Sequence, residues 1–167
     1  MARYPSVYQE LGIFCIFDPG QSLPAWNGPD LARTIGQADI LISNEYELEM
    51  ITSKIGLSID GLLGTVKTVI TTKGGDGTEV LTSNEITRVP AVPTPNVIDP
   101  TGAGDAFRGG FIKGLVMGIQ VERAIQMGSV CAHYAIQHYG TQEYSFTLEE
   151  FTSKMEQEYG PPPRFVH

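Results

Sequence analysis

Asp99-Pro100-Thr101-Gly102-Ala103-Gly104-Asp105-Ala106-Phe107 is the most informative stretch of this sequence. It follows a proline-rich extended segment and leads directly into a segment with helical periodicity. The small residues Gly102, Ala103 and Gly104 let a ligand approach the backbone closely. The first turn of the following helix presents unpaired N–H groups and a partial positive charge. The stretch therefore predicts an anion site that suits a phosphate group.

Asp105 falls in the predicted first helical turn, where a carboxylate would repel a bound phosphate. Its position is explained if it accepts the proton of a neutral hydroxyl beside the phosphate, a general-base role worth on the order of 10²–10⁴ in rate. The N–H groups would then stabilise charge on the phosphoryl group during transfer. The alternative is a plain helix N-terminus, because a glycine-rich turn followed by Asp occurs in many proteins. The bracketing of Thr-Gly-Ala-Gly by Asp99 and Asp105 favours the functional interpretation.

Apolar runs and helical patterns alternate along the rest of the chain. Residues 13–17 form a continuous apolar run closed by Asp18-Pro19-Gly20, which predicts a strand buried on both faces. We predict further strands at 39–43, 66–72, 78–82 and 85–89, and helices within 1–11 and at 29–37, 44–54, 104–117, 121–138 and 147–158. This alternation predicts an α/β domain with a mostly parallel sheet, in which ligands bind at the carboxyl ends of the strands.

Gly110, Gly114 and Gly118 are spaced by four residues in the helix that follows the glycine-rich loop. Each glycine inside a helix costs about 0.5–1 kcal/mol relative to alanine, so a structural reason is needed. The spacing puts the three on one smooth stripe and predicts close packing against a neighbouring element.

Composition excludes several classes of protein. The 167 residues are 41% hydrophobic and 18% charged, which is typical of a folded domain, and the net charge is −8. An acidic chain is unsuited to non-specific binding of nucleic acid or an anionic membrane. The two cysteines, Cys15 and Cys131, give neither a disulfide framework nor zinc spacing, and the apolar runs are far too short to span a membrane. We expect a cytoplasmic protein without a nucleic-acid or membrane partner.

The glycine-rich stretch, with the Gly109-Gly110-Phe111 that follows it, resembles the second signature of the ribokinase (PfkB-type) family of sugar and nucleoside kinases. Further matches come in the same order as in that family. Asn44-Glu45-Tyr46-Glu47 is similar to its Asn-x-x-Glu motif, and Thr71-Thr72-Lys73-Gly74-Gly75-Asp76-Gly77 is similar to its nucleotide-side glycine loop. Gly140 falls where the family has a loop near the adenine and a monovalent-cation site. The resemblance implies a ribokinase-like, Rossmann-like three-layer α/β fold.

The resemblance also implies a role for each matched residue. Asp105 would be the catalytic base, and Gly102, Ala103 and Gly104 would form the anion hole for the γ-phosphate of ATP. Asn44 and Glu47 would organise Mg²⁺ through water. Asp99 and Thr101, with backbone near Gly140, would hold K⁺ if the site is activated by a monovalent cation. The implied nucleotide-binding residues are Lys73, Gly75, Gly77, Thr101, Cys131 and Gly140. For Cys131 a second interpretation stays open, that of a small core residue.

The sequence departs from the family pattern in two respects. Pro100 stands where the family more often has Thr, but it lies outside the Gly-Ala-Gly turn, so we expect a small effect. Family members are also roughly twice as long, and the match is to their C-terminal half. We therefore expect a partial kinase domain over 1–158 and a tail over 159–167, because Pro161-Pro162-Pro163 ends any helix. An unpaired sheet edge would favour self-association or a complementary N-terminal half.

The implied activity is ATP-dependent phosphorylation of a hydroxyl group on a sugar or nucleoside. Similarity to adenosine kinases and general sugar kinases is carried by Phe17-Asp18-Pro19-Gly20-Gln21 and by the segment from His138 to Glu143. The alternative is a catalytically inactive nucleotide-binding module, which would keep the phosphate loop and act only with a partner half.

Overall fold

A computed structural model describes residues 4–163 of the chain. They divide into two compact units. The first comprises the residues up to Lys73 together with Thr78–Arg88, and the second comprises Gly74–Gly77 together with the residues from Val89 onward.

A five-stranded sheet, with its strands in chain order, runs through the described residues. Its strands are β1 (Ile16–Phe17), β2 (Ile40–Asn44), β3 (Thr68–Thr72), β4 (Thr78–Thr82) and β5 (Ile86–Val89). The first three strands are parallel, and β3 pairs with β4 antiparallel, with Thr71 opposite Glu79. Helices make the parallel connections and a short glycine turn makes the antiparallel one, as the lengths of such connections require.

The helices of the first unit are α1 (Tyr4–Glu10), α2 (Gly28–Ile35), α3 (Glu45–Ile55) and α4 (Ile59–Leu63). One core joins the sheet to these helices through Leu23, Leu31, Ile35, Leu41, Ile51, Leu62, Val66, Val69 and Leu81. Helix α4 is not among the predicted helices, because it is too short for a helical period to be visible in the sequence. Its start is nevertheless marked, because the Ser58 hydroxyl accepts a hydrogen bond from the N–H of Gly61.

The predicted strand over 13–17 is wrong in both its extent and its burial. Only Ile16 and Phe17 pair, with Ile40 and Leu41 of β2, and both are half-buried. The preceding Ile13 is 48% exposed. In the described sheet β1 is an edge strand with a neighbour on one side only, so the apolar residues before it lack the second neighbour that would bury them.

The second unit is built on two long helices, α5 (Ala103–Val116) and α6 (Val121–Ala135). They approach closely at Gly110, where a Cβ atom would lie 2.7 Å from the carbonyl oxygen of Met127, and at Gly128, where it would lie 2.6 Å from that of Phe107. Gly114 likewise faces Ala124, at 2.7 Å from its Cβ. The predicted packing of the glycine stripe is thus confirmed at Gly110 and Gly114.

Two further expectations for these helices are wrong. Gly118 is not part of the packed stripe, since it adopts φ +72° with no heavy atom near its Cβ position, and it ends α5 in the left-handed conformation that favours glycine. The helix predicted over 121–138 stops at Ala135. The chain turns away there because the carbonyl of Ile136 accepts the N–H groups of Ile98 and Asp99.

Helix α7 (Leu148–Tyr159) completes the second unit. It begins with a capping box between Thr147 and Glu150, and it packs Phe151 and Met155 into a core with Val92, Met127 and Val130. Beyond it, the Arg123 guanidinium donates hydrogen bonds to the carbonyls of Tyr159 and Pro161. Within the segment 159–167, residues 164–167 lie outside the described residues.

We expect Gly110→Ala to lower the free energy of unfolding by about 1–3 kcal/mol, because the added methyl must separate α5 from α6. Gly109→Ala is the matched control, since Gly109 is exposed, with no heavy atom near its Cβ position. We expect that control to raise stability by about 0.5–1 kcal/mol through its better helix propensity. Urea unfolding measures both variants, and equal effects in the two would contradict the close contact at Gly110.

The hydroxyl of Thr71 is buried and has no hydrogen-bond partner among residues 4–163. The same holds for the hydroxyl of Ser43, which lies opposite Thr71 on β2. An unpaired buried hydroxyl is costly, so we expect Thr71→Val to raise the free energy of unfolding by about 1 kcal/mol. Thr34 is equally buried, but its hydroxyl donates to the carbonyl of Asp30 at 2.8 Å. Thr34→Val should therefore lower stability by about 1 kcal/mol. Thermal unfolding of both variants checks this, and destabilisation by Thr71→Val would refute it.

Candidate active site

The glycine-rich loop ends in a half-buried backbone turn, Gly102 to Gly104, at the N-terminus of α5. Gly102 precedes the helix with φ +84°, a left-handed conformation that favours glycine. The N–H of Ala103 donates to the carbonyl of Pro100 at 3.2 Å, and the N–H of Ala106 donates to the carbonyl of Gly102 at 2.9 Å. Because helix geometry gives the N–H groups of Gly104 and Asp105 no such acceptor, they form the positive pole of α5.

Asp105 lies in this first turn, and its side chain is 87% exposed. The nearest charge in its own helix is the Arg108 guanidinium, with 3.9 Å between Nη1 and Oδ1. A contact of this length at the surface contributes little to stability. The carboxylate is therefore accessible to a substrate from solvent while it stays beside the backbone N–H groups.

Arg108 is a residue of this site that the sequence analysis missed. A Cβ atom on Gly104 would lie 2.5 Å from Nη1 of Arg108, so the guanidinium rests against the Gly104 backbone. The spacing of four residues on a helix brings the two together, and this spacing is the signal that could have found Arg108. A cation therefore stands beside the positive pole of α5.

Asp99 ties the loop to the segment that follows α6. Its Oδ1 accepts the N–H of Thr101 at 2.9 Å and its Oδ2 accepts the N–H of Gly140 at 3.0 Å. Hydrogen bonding from the Thr101 side chain, and then from the two backbone N–H groups, holds the pKa of Asp99 below its usual value. Asp99 is thus ionised at neutral pH, with both carboxylate oxygens bonded to backbone.

The segment after α6 lies directly against the glycine-rich loop. A Cβ atom on Gly102 would lie 3.0 Å from the Cα of Thr141, so a side chain at position 102 would push the two segments apart. The structure therefore brings Gly140 to Asp99, Thr101 and Gly102, although Gly140 lies 41 residues after Asp99 in the chain. It also keeps Ala103, Gly104 and Asp105 in one helical turn with them.

Asn44 and Glu47 form a reciprocal cap on α3. Oδ1 of Asn44 accepts the N–H of Glu47 at 2.8 Å, and Oε2 of Glu47 accepts the N–H of Asn44 at 2.9 Å. The pair lies at the carboxyl end of β2. One carboxylate and one amide are too few ligands to enclose a metal. They do fit Mg²⁺, which keeps several of its waters and takes its other ligands from substrate phosphates.

The residues of the nucleotide-side glycine loop, Thr71 to Gly77, have different environments. Gly75 is exposed, with no heavy atom near its Cβ position. Gly77 adopts φ +93°, and its Cβ would lie 2.2 Å from the carbonyl oxygen of Val89, so only glycine fits there. The Lys73 ammonium lies 3.2 Å from a carboxylate oxygen of Glu79 and 3.8 Å from one of Glu45.

Cys131 faces the contact between α5 and α6. A Cβ atom on Gly110 would lie 2.8 Å from its sulfur. Burial raises the pKa of the Cys131 thiol to about 11, so it stays protonated at neutral pH. These surroundings favour the interpretation of Cys131 as a small packing residue.

Among residues 4–163 no helix combines the length and the apolar character that a membrane span needs. Nor do the described residues contain a group of three or more His, Cys, Asp or Glu side chains that could hold a metal ion.

The sequence profile of the pfkB family carbohydrate kinases matches residues 7–147, which is most of the chain and includes every candidate site residue. This chain belongs to the pfkB family. Among curated relatives, a nucleoside kinase of Methanocaldococcus jannaschii is 32% identical over 140 residues, covering 84% of this chain and 46% of its own length. An adenosine kinase of Saccharomyces cerevisiae is 34% identical over 124 residues, covering 66% of this chain and 36% of its own.

Solved structures of the pfkB type share the fold. A Burkholderia thailandensis nucleoside kinase in complex with ADP-inosine is 34% identical, with a TM-score of 0.91, covering 99% of this chain and 52% of its own. A ribokinase of Thermotoga maritima, 24% identical with a TM-score of 0.77, covers 92% of this chain and 52% of its own and shares the fold alone. The predicted ribokinase-like α/β fold is thereby confirmed. The chain spans about half the length of these relatives, or less.

We expect the Thr101 and Gly140 amide signals to titrate together, with a midpoint below the usual aspartate pKa of about 3.9. Because the folded pKa of Asp99 is lowered, its stabilising contribution is fully present above the unfolded pKa and is lost as pH falls through the folded value. NMR over the acidic range measures the midpoint. In Asp99→Asn the shared transition should vanish, and separate midpoints in the unaltered chain would contradict the bridge.

Proposed function

We propose that this chain carries the nucleotide-binding and catalytic part of an ATP-dependent kinase that phosphorylates a hydroxyl group of a nucleoside. The observation that carries the proposal is the first turn of α5. It holds an 87% exposed carboxylate, Asp105, on the same turn as backbone N–H groups without an intrahelical acceptor. Membership of the pfkB family supports the reaction class, and the nucleoside kinases among the relatives support the acceptor class.

Chemically, the turn would serve both partners in phosphoryl transfer. The Asp105 carboxylate would accept the proton of the acceptor hydroxyl as the oxygen bonds to the γ-phosphorus of ATP and the bond from that phosphorus to ADP breaks. The N–H groups of Gly104 and Asp105 would meanwhile stabilise the charge on the transferring group. Gly102 and Ala103 leave the space through which the phosphate reaches them.

Two metal ions would assist phosphoryl transfer, Mg²⁺ at the Asn-x-x-Glu motif and K⁺ at the start of the glycine-rich loop. Mg²⁺ supplies neutralisation of phosphate charge when it is bound, and Asn44 and Glu47 would hold it through water while they keep their mutual cap. Asp99 and Thr101, with backbone near Gly140, are the proposed K⁺ site. The ionised state of Asp99 and its hydrogen bond to Gly140 support that assignment.

A second candidate function is a nucleotide-binding module that becomes a kinase only beside a complementary segment. The apolar exposure before β1 favours it, because Ile13 is 48% exposed, Phe14 is 58% exposed and β1 has an open edge in the described sheet. A complementary N-terminal half, or a second copy of the chain, would cover that edge.

The reaction is tested by ATP turnover with inosine, adenosine or ribose as acceptor, for the chain alone and with a separately expressed N-terminal half of a pfkB nucleoside kinase. We expect nucleosides to be phosphorylated faster than ribose. Turnover only in the mixture would favour the second candidate. No turnover in either, together with no calorimetric binding of ADP, would refute the proposal.

Asp105→Asn should reduce turnover by on the order of 10²–10⁴, because the amide cannot accept the proton. Its ADP dissociation constant should stay within about 2-fold, since the backbone N–H groups are unchanged. Gly104→Val is the contrasting variant, because its side chain would cover the turn and weaken the binding of ATP, whose γ-phosphate the turn would hold, more than the binding of ADP. Full turnover in Asp105→Asn would disprove the assigned mechanism.

A further inference from the structure

An ion-pair cluster surrounds Lys73 where β3 ends. Its ammonium lies 3.2 Å from a carboxylate oxygen of Glu79 on β4, and the other Glu79 oxygen lies 2.9 Å from Nε of Arg88 on β5. Glu45, the first residue of α3, is a weaker partner at 3.8 Å and is largely exposed. The Lys73 and Glu79 side chains are only 29% and 15% exposed, so the central pair is partly shielded from water.

The charges of this cluster balance. Lys73 and Arg88 are matched by Glu79 and Glu45, so a phosphate that approaches Lys73 also meets the carboxylates that hold it. Burial raises the pKa of Glu79, but hydrogen bonds from Arg88 and Lys73 outweigh that effect and the net pKa is lowered. Glu79 is therefore ionised at neutral pH, and Lys73 is a poor source of free positive charge for a polyphosphate.

The Lys73–Glu79 ion pair flanks the Gly74–Gly77 turn and can therefore hold the two ends of that turn together. Lys73 immediately precedes the Gly74–Gly77 turn, and Glu79 lies one residue beyond Thr78, which resumes the strand. The turn itself has few internal ties, since the N–H of Gly77 donates to the carbonyl of Gly74 at 3.1 Å while Gly75 is exposed. Gly77 packs against the carbonyl of Val89, so the shape of the exposed part of the turn, Gly74 to Asp76, depends on how firmly the flanking strand ends are held.

We propose that Lys73 is a positioning residue that fixes the Gly74–Gly77 turn through Glu79, and that it is not a direct phosphate ligand. The inference rests on the proposed function, because it assigns the turn to the nucleotide. It replaces direct contact by Lys73, as the family resemblance implied, with an indirect role through the backbone of the turn.

The two roles predict opposite effects of Glu79→Gln on ADP binding. If Lys73 positions the turn, Lys73→Met and Glu79→Gln both break the same tie, and each should weaken ADP binding by about 3- to 10-fold. The double variant should bind ADP no more weakly than the single variant with the lower ADP affinity. Lys73→Arg should bind like the unaltered chain, because it keeps the ion pair. Calorimetric titration with ADP measures all four.

If Lys73 instead binds phosphate, Glu79→Gln releases its ammonium and should tighten ADP binding while Lys73→Met weakens it. That opposite pair of signs, or additive losses in the double variant, would overturn the proposal. Should Lys73→Met fail to fold by its thermal transition, the sign for Glu79→Gln and the retention by Lys73→Arg still decide between the roles.

A ligand-free measurement separates this inference from the proposed function. Amide hydrogen exchange of Gly77 reports on the turn directly, and we expect it to be faster in Glu79→Gln and Lys73→Met and unchanged in Lys73→Arg. If the unaltered chain bound no ADP, the proposed function would fail, while faster exchange would still support the tie. Unchanged exchange in both disruptive variants would overturn the positioning role whatever the nucleotide result.

Discussion

The contact between α5 and α6 at Gly110 and Gly128 is the constraint on which the candidate site depends. Each glycine faces backbone of the other helix, with the Cys131 sulfur beside Gly110 and the Phe107 ring beside Gly128, so neither position has room for a side chain. The C-terminal end of α6 is then close enough to the start of α5 for the Ile136 carbonyl to accept the N–H groups of Ile98 and Asp99. A side chain at either glycine would separate the helices and also the two loops at their ends.

The loop contacts follow from that approach. With the end of α6 beside the glycine-rich loop, Asp99 reaches Gly140, and Thr141 sits against Gly102. The two carboxylates of the loop consequently differ in environment. Asp99 has both oxygens bonded to backbone N–H groups, whereas Asp105 on the first turn of α5 is open to solvent. The same stretch thus contains one carboxylate with a structural role, Asp99, and one that is accessible to substrate, Asp105. Only Asp105 suits proton transfer.

Local features were predictable because they are encoded by adjacent residues. The caps at Asn44 and Thr147 follow from side chains within one turn of the backbone groups they contact, and the start of α5 follows from Gly102, which adopts a left-handed conformation. The burial of 13–17 was not predictable, because it depends on a neighbour on each side of β1 and the described sheet provides one. Gly118 shared the spacing of a packing stripe, and only the end of α5 decides that it terminates the helix instead. The spacing of residues along one helix or strand shows which of them share a face. It does not show which other element packs against that face.

Charge partners were the least predictable part of the candidate site. Lys73 in a glycine loop suggests a phosphate ligand as long as its surroundings are unknown, but Glu79 and Arg88 come to it through the register of a hairpin. Arg108 was overlooked because its contact with Gly104 arises only once the helix is formed. At the turn of α5 the positive potential comes from the oriented N–H groups of Gly104 and Asp105 as well as from the Arg108 guanidinium. Only the backbone part follows directly from the start of the helix, and that part was predictable from the sequence.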